Sequence, residues 1–512
     1  MEIVSSNSGL TELMAWAQRK AASFVVTGQS GPVNRGKGGK WYGPSLRFFN
    51  RSHAIRRPNR PWARPKAYLP SYWAGYHDRT AFYIRDFVHQ AMGAEYLGYH
   101  EENYQMMRCF VEGACADTGW YAPWALNFDG SIYYMDTPNR RRFVRELTAQ
   151  YELVETLCKL YFHSGDSRYL ERQMRAFAGR ILGEFTARHD GMVFPVQNGV
   201  PEGRGNIWRG SASYNESGTW LAEAGDSIAA LYQALRSYAG LLEAQGSAAE
   251  AAAYAQRAQA LKAYFNDVWS IPPEGGGYVF GVDRKGRKYW RWVKTAKGIT
   301  GAETCFFMPM KLLTEPGERN DRLLDEIHRM AGDPETAMNN IESYTYLPQV
   351  FFPYHQPERA WSWMKYIGAR RFEPHICRSQ GLNEDYPELS FTMIACAVEG
   401  MAGFSADAQA GRVSTCPCMP QEVPDLSIGS LRAGDCSMDL HIAAHDTVTL
   451  TNHSTRPLWW KCAFAGRYDR LLIGEEAAVG RCKMVNGVPR SFVEVEVPPG
   501  AAVQIHAAGR GG

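Results

Sequence analysis

From about residue 80 to residue 403, apolar side chains return at spacings of three and four, the period of a helix with one buried face. Leu147, Tyr151, Val154 and Leu157 show it in one segment, and Ala230, Leu231, Ala234, Tyr238 and Leu241 in another. The pattern predicts helices over 80–97, 101–115, 143–163, 167–188, 220–244, 247–269, 301–314, 318–331, 341–354, 357–370 and 388–403. Short links such as Gly98–His100, Ser164–Asp166 and Gln245–Gly246 join them in pairs, and longer loops rich in Gly, Pro and Trp separate the pairs. A short link forces antiparallel neighbours, so the unit is an αα-hairpin repeated five or six times. Hairpins with one apolar face each bury it by closing into an (α/α)6 toroid.

After Gly403 the period changes to two. LSIGSLRAG, SMDLHIAAHDTVTLTN, PLWWKCAF, RYDRLLIG and SFVEVEVPPGAAVQIHA alternate apolar with polar and are divided by Gly, Asn, Asp and Pro, the texture of a small antiparallel β-sandwich. The first 72 residues are of a third kind. An amphipathic stretch runs to about Phe24, and residues 28–72 form an irregular wrap whose Gly, Pro and Arg content cannot hold a helix. The organisation read from these patterns is therefore 1–72 helix and wrap, 73–405 helical barrel, and 411–512 C-terminal sandwich.

Composition narrows the function. The 512 residues carry 56 basic and 53 acidic side chains, too even a balance for a global attraction to nucleic acid or an anionic membrane. No segment approaches the ~20 uninterrupted apolar residues of a membrane span, and the N-terminal stretch lacks a continuous apolar leader core. A cytoplasmic protein without membrane or nucleic-acid partners is the expectation. The eleven cysteines are odd in number and irregularly spaced, which suits reduced, mostly buried thiols better than a disulfide scaffold. The histidines have no metal-ligand spacing, and neither a phosphate loop nor a G-x-S-x-G elbow is present, so no metal and no cofactor are expected.

Many of the 15 Trp, 27 Tyr and 23 Phe lie beside carboxylates, Arg or Gly, and acids and aromatics recur in the loops between hairpins. WAGYHDRTAFYIRDF brings Trp73, Asp78, Arg85 and Asp86 together. ADTGWYAPWALNFDG contributes Trp120 and Trp124, and NIWRGSASYNESGTW contributes Trp208, Glu216 and Trp220. Glu303, Glu342, Glu384, Asp385 and Glu388 follow in later loops. Hydrolysis of a glycosidic bond needs one protonated carboxyl for the leaving oxygen and one carboxylate for water. Flat aromatic faces hold sugar rings. These loops supply both, and a carbohydrate is the expected substrate.

The stretches YHDRTAFYIRDFVHQAMGAEYLGYHEE, TAQYELVETLCKLYFHSGDSRYLE, GTWLAEAGDSIAALYQALRSYAGLLEAQG and GLNEDYPELSFTMIACAVEGMAGF resemble successive segments of the six-hairpin glycosidases, among them α-L-rhamnosidases and trehalases. The resemblance covers about residues 73–510. It implies an inverting O-glycosidase, with Glu384 as base and Asp86 gripping the reacting sugar. The general acid of rhamnosidase-like members falls on Asp78 or Arg79. That of trehalase-like members follows an E-S-G motif, where this chain has Trp220 and leaves Glu216 as the nearest carboxyl. The site so read has Glu216 and Glu384 as acid and base, and Trp73, Arg85, Asp86, Trp120, Trp124, Trp208, Trp220 and Glu342 as sugar contacts. Asp78 and Asp86 stay open as alternatives for the acid. A lyase using Tyr214, His355, Tyr344 and Arg209, a sugar isomerase using two histidines, and a non-catalytic sugar-binding protein are the competing readings.

Overall fold

The computed structural model describes residues 1–34, 65–76, 79–137, 139, 141–295 and 298–507. Its main helices are α1 (Ser8–Ser23), α2 (Ile84–Tyr96), α3 (His100–Gly113), α4 (Thr148–Ser164), α5 (Arg172–Arg180), α6 (Gly225–Ala244), α7 (Ala248–Tyr264), α8 (Ala302–Met310), α9 (Glu318–Gly332), α10 (Leu347–Phe351), α11 (Pro357–Arg370) and α12 (Pro387–Ala395), with one further helical turn at Thr186–His189. Each segment with helical period holds one of them. The segment predicted over 341–354 is broken into Ile341–Tyr344, α10 and Phe352–Tyr354, since Pro348 and Pro353 lack the N–H that a continuous helix needs. Helices α5, α7 and α12 run on into π-type turns at Ile181–Phe185, Phe265–Trp269 and Cys396–Met401.

Two populations separate by burial. Helices α4, α6 and α12 are buried on nearly every side, whereas α7 buries only Ala251, Ala258 and Leu261, and α9 shows one apolar stripe of Leu323, Leu324, Ile327 and Met330. A helix apolar all round belongs inside and one with a single stripe outside. The contacts agree. Helix α2 packs on α4, α4 on α6, α6 on α8, α8 on α10, α10 on the turn that continues α12, and α12 back on α2. Outside them α3, α7, α9 and α11 each pack on the helix preceding them, and α5 on both α3 and its own π turn against α4. The outer partner of α12 is α1, from the other end of the sequence.

The links carry the capping chemistry. Gly165 adopts φ 65° at the end of α4, a conformation glycine takes without strain, and the Asp166 side chain then accepts from the Arg168 backbone N–H at 2.9 Å as a cap. Gly93 lets α2 approach α12 closely, for a Cβ there would lie 2.0 Å from the Phe391 carbonyl oxygen.

The strands after Met401, joined by Glu2–Val4, form two sheets. One has seven strands in the order Glu2–Val4, Asp425–Ala433, Cys436–Ala443, Thr447–Asn452, Ala502–Ala507, Arg470–Ile473 and Glu476–Val479. The other has five, in the order Ser405–Asp407, Arg412–Thr415, Leu458–Ala465, Val488–Val497 and Arg481–Val485. Trp460, Leu426, Leu440, Leu450 and Ile505 are among the side chains buried in this region. Two features depart from the sequence reading. Arg412–Thr415 pairs parallel to Leu458–Ala465, so the sheets are not wholly antiparallel. Residues assigned to an N-terminal lead-in are divided between both layers, with Glu2–Val4 pairing to Ser427–Gly429 and α1 covering α12. Three residues are too few to reveal a strand by period, and neither contact is local in sequence.

All eleven cysteines are unpaired and seven are buried. Among the described residues no helix is long and apolar enough to cross a membrane.

Candidate active site

Each of the six inner helices begins with, or is shortly preceded by, an acid. Asp86, Asp226, Glu303 and Glu388 lie in the first turns of α2, α6, α8 and α12. Glu146 precedes α4 by two residues, and Glu342 lies in the 3-10 turn before α10. A helix N-terminus favours a carboxylate, but here burial opposes it and wins. Desolvation pushes Asp86, Asp226 and Glu303 up to about 7 and Glu388 up to about 8, and it raises Glu146 well above the usual carboxylate range. Neighbouring negative charge adds to the effect, Glu388 acting on Asp86 and Glu342 acting on Glu388.

Arg85 is the cation among them. Its guanidinium lies 3.0 Å from Glu216 and 3.8 Å from the buried Glu146, donates to the Tyr214 carbonyl at 2.6 Å, and lies over the rings of Trp124 and Tyr214 at 4.6 and 4.5 Å. Tyr386 donates to Asp86. His89 Nδ1 meets Glu388, with Tyr346 stacked on the imidazole at 3.9 Å. Burial lowers His89 to about 3 and raises Glu388, which favours the neutral form of both partners. Glu342 accepts from Tyr76 at 3.1 Å and lies 3.2 Å from His375 Nε2. Glu303 accepts from Asn215 and from Ser343, the residue after Glu342. Along one edge Arg79 bonds Tyr83 at 3.0 Å, and Tyr83 donates to Asp136 at 2.9 Å.

The residues expected from sequence fall on both sides of this account. Arg85, Asp86, Trp124 and Glu342 are part of the cluster. Glu216 reaches it through Arg85, but its side chain is 66% exposed, an open setting that does little to hold a proton on a carboxyl. Glu384 is elsewhere. Its carboxylate accepts from Trp16 Nε1 at 2.7 Å and lies 3.6 Å from Lys20, both on the outer helix α1, because the chain does not enter α12 until Pro387. Glu388, in the first turn of that helix, is the one that points among the acids. Asp78 lies outside the described residues, as does most of the wrap expected over 28–72.

The tryptophans are dispersed. Trp73 meets Phe128 edge-on at 4.9 Å, Trp120 lies under Arg180 at 3.6 Å, Trp208 under Arg142 at 4.8 Å, and Trp220 against Tyr289 at 4.8 Å. Aromatic rings beside the carboxyls are mostly tyrosines: Tyr76, Tyr214, Tyr346 and Tyr386. Glu303 and Glu388 were visible in sequence as acids only, and His89 and His375 as bland histidines. The legible signal was the recurrence of an acid at the start of every inner helix.

No family model matches the chain, and no curated protein matches its sequence. Solved structures do match its fold. A GH78 family rhamnosidase of Bacillus sp. GL1 is 11% identical with a TM-score of 0.55 over 87% of this chain and 40% of its own. An α-L-rhamnosidase from Dictyoglumus thermophilum is 11% identical with a TM-score of 0.53 over 90% of this chain and 49% of its own. The chain thus spans less than half the length of either. What it shares with them is the six-hairpin glycosidase-like fold.

Proposed function

We propose that this chain is a carbohydrate-active enzyme, a glycoside hydrolase working on an (α/α)6 toroid by an inverting two-carboxyl mechanism. The observation that carries the reading is the setting of two neighbouring acids, Glu303 bonded by Asn215 and Ser343 and Glu342 held by two donors. Burial raises Glu303 to about 7, so near neutral pH a large share of the molecules hold a proton there for a leaving oxygen. Glu342 has Tyr76 and His375 directed at its oxygens, the donor set of a carboxylate that orients water. Asp86, Arg85 and Tyr386 are the groups placed to fix ring hydroxyls. Inversion asks for ~6.5–9.5 Å between the two carboxyls.

The fold of two proteins named as rhamnosidases supports α-L-rhamnosides as the first substrates to try, with glucosides next. Screening aryl glycosides of both kinds and following the first-formed anomer by proton NMR tests the proposal. Release of sugar with inverted configuration is the expected result. Failure on every glycoside, or retention, removes it.

One observation favours a second reading. His89 with Glu388 and His375 with Glu342 make two histidine–carboxylate pairs, which suit proton transfer at a sugar carbon in an isomerase. Conversion of a free sugar to its epimer with no sugar released distinguishes this outcome.

A further inference from the structure

Beside the acid cluster lies a patch of opposite sign. Two tight turns interlock there. In the first, the Asn139 side chain accepts from the backbone N–H groups of Arg141 and Arg142, both at 3.0 Å. In the second, Asn206 binds the N–H groups of Arg209 and Gly210 through its carbonyl and that of Trp208 through its side chain. Arg145 ties the two, its backbone paired to Ile207 and Ser211 and its guanidinium donating to the Trp208 carbonyl at 2.5 Å. Arg204 joins through its own N–H to Gly210. Arg141, Arg204 and Arg209 are exposed, and Arg142 covers the Trp208 ring.

Among the described residues no carboxylate lies within ion-pair distance of Arg141, Arg142, Arg145, Arg204 or Arg209, whereas Arg188 nearby has Glu184 at 3.4 Å. Arg145 is lowered from its ordinary value by burial, with Arg204 adding to the effect. Like charges gathered on one face raise the local concentration of anions. The patch is also continuous with the acid cluster, because Glu146, next to Arg145, is the buried partner of Arg85 and pairs in bridge geometry with Ser211.

We infer that these arginines form a subsite for an anionic group, carboxylate or sulfate, on a sugar unit neighbouring the one cleaved, so that the substrate is an acidic oligosaccharide. Guanidinium groups bind such anions through forked, charge-assisted hydrogen bonds. The inference rests on the carbohydrate reading given above but not on its assignment of acid and base.

Calorimetric titration of the full chain carrying Glu342→Gln, and of the unsubstituted protein, with a short oligouronate, a sulfated oligosaccharide and a neutral oligosaccharide of equal length tests it. Binding of either anionic chain, weakening as salt rises and falling about tenfold or more in Arg142→Ala/Arg204→Ala, is the expected result, and the preferred chain identifies the anion. Arg142→Gln/Arg204→Gln is the second variant, with near-ultraviolet circular dichroism verifying its fold. Equal affinity for the neutral chain, no loss in either variant, or equally tight binding of polyphosphate or RNA overturns the subsite. Product release is followed separately, so failed hydrolysis with intact anionic binding strikes the catalytic reading alone.

Discussion

The indole nitrogen of Trp16 donates to Glu384 Oε2 at 2.7 Å, joining the first helix of the chain to the loop that leads into the last inner one. A hydrogen bond to a partly buried carboxylate contributes about 1–3 kcal/mol. Glu384→Gln is therefore expected to lower the melting temperature while retaining turnover on the best glycoside found. Abolished turnover in a folded variant returns Glu384 to the chemistry.

Glu342→Gln is expected to reduce kcat by about a thousandfold or more, with sugar affinity within a few fold of the parent, because the amide cannot take a proton from water. Activity within tenfold of the parent excludes Glu342 as base.

If Glu303 supplies the proton, activity falls as pH rises through about 7, where its carboxyl ionises. In Glu303→Gln that alkaline limb is expected to vanish. Aryl glycosides with acidic phenols, which need little protonation, are expected to lose far less than alkyl glycosides. A kcat/KM profile with both leaving-group types checks this.

Asp226 offers a measure of burial cost apart from catalysis. It accepts from the Tyr214 and Ser227 N–H groups and from Ser213, yet desolvation lifts it to about 7. With the folded value above the unfolded value of about 4, the folded chain binds the extra proton between those limits. The associated stability is full below pH ~4 and is lost as pH rises through about 7. Urea unfolding between pH 5 and 8 is expected to show a decline on the order of a few kcal/mol, part of which disappears in Asp226→Asn. An unchanged slope in that variant contradicts the assignment.

Helix period made the hairpins legible because each helix has to hide one face, and Pro and Gly placed most of the breaks. The acids are harder to read. Glu384 and Glu388 occupy one motif, NEDYPELS, and only the point where the helix starts decides which faces inward. Pro387 marks that point, since proline is favoured at the first helical position, and a reading that weighted it would have chosen Glu388. The pairings that fixed Glu384 and the N-terminal strand span more than 360 residues, and no local pattern carries such a contact.

Gly93→Ala is expected to destabilise the chain by several kcal/mol, since its methyl group meets the Phe391 carbonyl at 2.0 Å and the backbone of α12 has to move. Thermal unfolding checks it, and a shift within the error of the parent shows that the two helices separate at little cost.

The seating of α1 on α12 also sets a timetable for biosynthesis. At ~5–20 residues per second, α1 leaves the ribosome roughly 20–80 s before the helix it covers. During that interval its buried face, with Leu10, Leu13, Met14 and Trp16, has no native surface to rest on. The last seam of the ring can close only after translation has passed residue 395, so α1 stays without its partner while all the helices between the two are made.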